Sequence, residues 1–155
     1  MDAENTHQVF EGLWSSGQLS ARDIAALPAL GVRVVVNLAL PTSANALHGE
    51  AELVTRQGLD YVHIPVVWER PEPAQFDRFV AVLGAWRDST VWVHCAKNMR
   101  VSAFIYLYRR LVLAESEAEA RFPMCKVWVP DETWQSFIGA VIARGAPAVG
   151  ALPPV

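Results

Sequence analysis

One stretch restricts what this chain can become more than any other: Val91-Trp92-Val93-His94-Cys95-Ala96-Lys97-Asn98-Met99-Arg100-Val101-Ser102. Val91, Trp92 and Val93 are apolar and β-prone, the composition of a strand covered on both faces. From Val101 to Leu113 the apolar residues recur at helical spacing. Between strand and helix lies a short loop carrying a thiol and two cations. The N-terminal end of a helix is a partial positive pole with unpaired N–H groups, so it favours anions and disfavours Lys and Arg. Yet Lys97, one of only two lysines in the chain, and Arg100 sit there. Cations added to a positive pole make sense where an anion binds, and a thiol in the same field loses its proton readily. An anion site with sulfur at its floor points to phosphoryl or sulfur transfer.

Elsewhere strands and helices alternate. Leu13 to Ser15 reads as a short strand, with a turn at Ser16-Gly17-Gln18. Ser20-x-x-Asp23 forms a helix-start box for a helix over Ala21 to Leu30, distorted at Pro28 and stopped by Gly31. The β-branched run Val32 to Leu38 is a buried strand. Helices are expected over Glu50 to Gln57, Ala74 to Arg87, Ser116 to Arg121 and Asp131 to Arg144, and a strand over Asp60 to Ile64. Met124 to Pro130 reads as irregular. The pattern predicts an α/β fold with a central, mostly parallel sheet and helices on both faces. One domain is expected over residues 1–145, followed by a proline-rich tail over 146–155.

His94-Cys95 followed by Arg100 and Ser102, after an apolar strand, resembles the signature loop of cysteine-dependent protein tyrosine phosphatases, in their small bacterial dual-specificity-like branch. Ser16-Gly17-Gln18, the following helix and Gly31-Val32 to Leu38 resemble the N-terminal part of the same branch. The family loop reads H-C-x-x-G-x-x-R-S/T, with Arg six residues after Cys; here Arg100 is five after Cys95 and the glycine is replaced. Two alignments follow. In a gapped one the loop is a residue shorter and Arg100 keeps the arginine role. In an ungapped one Ser102 keeps its seven-residue spacing, Val101 takes the arginine position, and Arg100 reaches the anion from one step earlier. Asn98 then stands at the glycine position, where Asn is the residue that best tolerates a left-handed backbone. The ungapped reading is preferred.

The resemblance implies a phosphate monoester hydrolase working through a phosphocysteine. Cys95 is the nucleophile and Arg100 the phosphoryl clamp. The backbone N–H groups of Ala96, Lys97, Asn98, Met99 and Arg100 form the anion cradle. Ser102 donates to the Cys95 thiolate, and His94 supports the loop without acting as a base. The family also places an acidic proton donor in a loop ahead of the cysteine. Here Pro65 to Pro73 has no aspartate, so Glu69 takes that role, with Glu72 second; Asp77 lies in the next helix facing solvent or Arg78. Trp68 flanks a substrate ring or caps the core. Ser43 and Asn45 belong to a pocket rim or to an ordinary turn. No metal or organic cofactor is implied; His7, His48, His63, His94 and the cysteines lack zinc-type spacing. Partners are a phosphorylated substrate and phosphate or sulfate.

A net charge of -3 argues against general nucleic-acid or membrane-surface binding. A polar first ten residues and two cysteines, Cys95 and Cys125, suggest a cytoplasmic setting, with Cys125 a buried structural thiol rather than a resolving partner. Oligomeric state is not legible. The alternatives are a rhodanese-like sulfurtransferase, whose cysteine loop is shorter; a non-catalytic phosphate-binding pseudophosphatase; and an enzyme for a lipid or sugar phosphate, to which Lys97 would add charge.

Overall fold

The computed structural model describes residues 1–147; the remainder of the proline-rich tail lies outside the described residues. Five strands form one sheet: β1 (His7–Phe10), β2 (Leu13–Ser16), β3 (Val32–Asn37), β4 (Asp60–His63) and β5 (Thr90–His94). Their order is β1-β2-β5-β3-β4, with β1 antiparallel to β2 and every other pairing parallel. The mostly parallel α/β sheet expected from the sequence is therefore what forms.

β5 is central because Val91, Trp92 and Val93 are apolar on both faces, which a strand flanked on either side and covered above and below satisfies. It runs between β2 and β3, with His94 level with Ser16 on one side and Asn37 on the other. The C-terminal ends of the three strands thus lie side by side. In open parallel sheets this edge is where ligands bind, because each strand ends in a loop that leads to a covering helix.

The helices are α1 (Ala21–Ala26), α2 (Glu50–Arg56), α3 (Pro73–Ala85), α4 (Met99–Leu111), α5 (Glu117–Ala120), α6 (Met124–Val127) and α7 (Glu132–Arg144). On one face of the sheet α3, α4 and α7 bury Phe76, Phe79, Phe104, Trp134 and Phe137 against Val34, Val36, Val91 and Val93. On the other, α1, the turn that follows it and α2 bury Ile24, Leu27 and Val54 against Val32, Val35 and Trp92. Trp14 stacks on Trp92 with ring centroids 5.2 Å apart, and the Trp92 indole N–H donates to Ser16 Oγ at 2.8 Å.

The capping box at Ser20 and Asp23 is present. Pro28 lies in a 3-10 turn, Leu27–Leu30, that Gly31 ends at φ 80°. Three features differ from expectation. A strand, β1, precedes Leu13; it is short and only half apolar, so its alternation is weak, and Gly12 at φ 91° closes the hairpin. Met124 to Val127 is a short helix rather than irregular chain, and it leaves the Cys125 thiol exposed rather than buried. Asp77 faces neither solvent alone nor Arg78: its carboxylate accepts two bonds from Arg144 of α7, at 2.6 and 3.1 Å.

Candidate active site

Side chains alternate along β5. Trp92 and His94 point toward α1 and α2, whereas Val91, Val93 and Cys95 join the opposite core. Cys95 follows the last strand residue and is 1% exposed. Beyond it the chain must reverse into α4 within four residues. It does so through Asn98, whose φ of 68° is the left-handed conformation that the ungapped alignment asks of it. The Asn98 carboxamide N–H2 donates to Ser15 Oγ at 3.0 Å and to the Asn5 carbonyl at 2.7 Å, which holds the turn from beneath. α4 begins at Met99, two residues earlier than its periodicity suggested, so Arg100 stands in its first turn.

The loop carbonyls are all engaged. Cys95 O lies 3.2 Å from His94 Nδ1. Ala96 O accepts from the Gln18 amide and from Asn45 Nδ2, both at 3.0 Å. Lys97 O accepts from Asn5 Nδ2 at 3.0 Å, Asn98 O from the Ser102 amide at 2.9 Å, and Met99 O from Ser102 Oγ at 3.0 Å. The carbonyls of Cys95, Ala96 and Lys97 are thus committed to side chains and backbone around the loop, and Lys97 also pairs with Gly17 in an isolated antiparallel bridge. Ser102 is placed differently from expectation: its single hydroxyl proton is directed at Met99 O rather than at the Cys95 sulfur.

Arg100 is 7% exposed. Its Nη1 donates to Val66 O at 2.8 Å and its guanidinium lies 5.8 Å from the Trp68 ring centroid, a cation–π distance. Nε is buried without a partner. A buried guanidinium N–H left unpaired is costly, and an anion in the adjoining cleft is the natural acceptor for it. That cleft holds about 210 Å³ and is lined by Trp68, Cys95, Ala96, Lys97, Met99 and Arg100. Lys97 is exposed at its edge. Trp68 also packs on Trp128 and Trp134, so it both caps the core and walls the cleft.

The candidate acids differ. Glu69 is exposed in the turn next to Trp68. Glu72 precedes α3, where its backbone N–H donates to Gln75 Oε1 at 2.9 Å, and its carboxylate lies 3.9 Å from Arg70 Nε. Glu72 therefore serves the helix start, and Glu69 is nearer in sequence to the wall of the cleft. Ser43 lines a separate cavity of about 450 Å³, together with Tyr61, His48, His63 and Glu50, whereas Asn45 bonds the cysteine loop directly.

Sequence reasoning missed Glu50. It opens α2, is 6% exposed, and places Oε2 2.6 Å from His94 Nε2. Gln18 Nε2 donates to its other oxygen at 2.5 Å. Burial pushes the Glu50 carboxyl up, but the bonds and charge of His94, with those of Gln18 and Tyr61, outweigh it and hold the group below the usual carboxylate range. Burial, and then the neighbouring Glu50 charge, push the Tyr61 hydroxyl well above its ordinary value.

The approach between loop and scaffold leaves no room at Gly17. A Cβ there would stand 2.8 Å from Ala96 O and 3.2 Å from both Glu4 O and Lys97 Cα, all backbone atoms. Gly17→Ala is therefore expected to cost about 1–3 kcal/mol of stability, read as a lower urea midpoint, and to lower activity because Ala96 must shift. An unchanged midpoint would mean that the loop yields freely.

A cysteine at the foot of a central parallel strand, a left-handed turn and an arginine in the next helix's first turn place this chain in the class of cysteine-dependent phosphatases. Residues 2–134 match the family described as DSP-PTPase phosphatase fused to NAD+ kinase, and the chain belongs to that phosphatase family. It is similar in structure to a candidate phosphatase (DUF442) from Shewanella putrefaciens CN-32, with 32% identity and a TM-score of 0.82 over 94% of this chain and 96% of that one. It shares its fold with TpbA of P. aeruginosa, at 20% identity and a TM-score of 0.71 over 89% of this chain and 85% of that one. No curated protein sequence matches the chain. The family assignment sets the sulfurtransferase alternative aside. Among the described residues no helix is long and apolar enough to cross a membrane.

Proposed function

We propose that this phosphatase hydrolyses phosphate monoesters through a phosphocysteine on Cys95. The observation that supports the reading is the buried, unpartnered Nε of Arg100 on the cleft that Cys95 also lines, and the cradle is assigned to the N–H groups of Ala96, Lys97, Asn98, Met99 and Arg100. Successive backbone N–H groups around a turn make an anion-binding concavity, and a planar guanidinium adds paired donors matched to phosphoryl oxygens. In the first step the Cys95 thiolate attacks phosphorus in line, the S–P bond forms, the ester P–O bond breaks, and the leaving oxygen takes a proton from Glu69. In the second, water attacks phosphorus and gives its proton to the Glu69 carboxylate. The S–P bond then breaks, releasing phosphate and restoring the thiolate.

The substrate is a phosphorylated protein or a small phosphate ester, and inorganic phosphate or sulfate binds as the product-like ion. Glu69 as acid rests on its place in the turn beside Trp68. Glu69→Gln should lower turnover about 10- to 100-fold on an alkyl phosphate, whose leaving group needs a proton, and far less on 4-nitrophenyl phosphate. Equal rates for variant and wild type on both substrates would remove Glu69 from the mechanism. A phosphate-binding module without turnover is the second reading, favoured by the exposure of Glu69; it predicts oxyanion binding with no hydrolysis of either ester.

A further inference from the structure

Glu50 and His94 are buried together at the C-terminal edge of the sheet, on the face away from the Cys95 side chain. They come from elements 44 residues apart, the start of α2 and the end of β5. The proposed mechanism uses neither as an acid or a base, yet they form the one buried His–carboxylate pair among the described residues. Their chemistry is directional. His94 Nε2 faces the Glu50 carboxylate at 2.6 Å, and Nδ1 faces the Cys95 carbonyl at 3.2 Å. Both oxygens are acceptors, so each ring nitrogen satisfies its contact when it carries the N–H. A carboxylate against one nitrogen is the feature that holds an imidazole in the form its other contact needs. Gln18 holds the carboxylate in turn at 2.5 Å, while the Gln18 backbone N–H bonds the next loop carbonyl, Ala96 O.

We propose that Glu50 is a positioning residue for Cys95: acting through His94, it pins the carbonyl of Cys95 itself and so sets the orientation of the Cys95–Ala96 peptide beside the sulfur. The inference rests on the reading of Cys95 as the nucleophile, but it makes a claim about the thiol that turnover is not needed to test. The groups facing the pair are Gln18 from the chain before α1 and Tyr61 from β4, and the charged groups lining the cleft with Cys95 are Arg100 and Lys97. None but His94 joins Glu50 to the loop's first carbonyl.

The test is the rate of Cys95 alkylation by iodoacetamide as a function of pH, in a Cys125→Ser background so that one thiol reacts. Glu50→Gln keeps the size of the side chain and removes its charge. The expected result is a thiol that ionises at higher pH, so that alkylation below neutrality slows roughly tenfold, with kcat on 4-nitrophenyl phosphate falling more than KM rises. Gln18→Ala, which leaves the loop's backbone bond in place, should shift the alkylation profile the same way by less. In a His94→Asn background Glu50→Gln should add nothing. A wild-type alkylation profile in both Glu50→Gln and Gln18→Ala overturns the proposal, and so does an undiminished effect of Glu50→Gln when His94 is already replaced. If the wild-type protein hydrolyses no phosphate ester but Glu50→Gln still shifts the thiol profile, the positioning role stands and the phosphatase mechanism falls.

Discussion

Cys95→Ser is expected to lose at least about 1,000-fold in turnover of 4-nitrophenyl phosphate while still binding inorganic phosphate or tungstate in a titration. The sulfur is 1% exposed at the floor of the cleft, so a smaller hydroxyl fits without disturbing the loop. That loop is held by bonds from Asn5, Gln18, Asn45 and His94, all of them to its backbone carbonyls. A serine hydroxyl does not ionise in this field and leaves poorly from phosphorus, so chemistry stops while the anion site persists. Turnover within tenfold of wild type would exclude Cys95 as nucleophile. Loss of turnover together with loss of anion binding would show that the sulfur is part of the cradle's structure.

Arg100→Lys is expected to cost roughly 100- to 1,000-fold in kcat/KM and to weaken tungstate binding. Arginine and lysine carry the same charge, so the difference isolates shape. Arg100 already gives one N–H to Val66 O at 2.8 Å and lays its plane near Trp68, and Nε remains for an oxyanion. A lysine ammonium is a point charge; satisfying the Val66 carbonyl draws it from the cleft, and serving the anion leaves that carbonyl unpaired. A variant within threefold of wild type would mean that the backbone N–H groups and Lys97 hold the phosphoryl group unaided.

The sheet was legible because its signals are local. The runs Val32 to Leu38 and Val91 to Val93 declare buried strands, and the switch to helical spacing from Val101 declares the loop between. Asn98 could be singled out for the same reason, since left-handed backbone is a property of one residue. What stayed hidden depends on distant partners. Glu50 looks like any acidic residue in a helix's first turn until the parallel register sets β5 beside β3 and brings α2 across His94. Asn5 carries no signal, yet it bonds both Lys97 O and the Asn98 carboxamide. Ser102 kept its spacing, but the early start of α4 put Met99 O within reach of its hydroxyl. The pairing of Asp77 with Arg144 joins α3 to α7 across 67 residues, a relation no periodicity reveals.

The bond from Arg100 to Val66 reaches beyond binding. Val66 lies three residues before Glu69, in the segment that leads from β4 to α3. A guanidinium is rigid and flat, so an oxyanion seated on one edge is aligned with whatever grips another. In the proposed reaction the guanidinium that takes the oxyanion is tied to the segment that carries the candidate proton donor. A reagent that pries the β4–α3 connection away from α4 would loosen the arginine with the sulfur untouched.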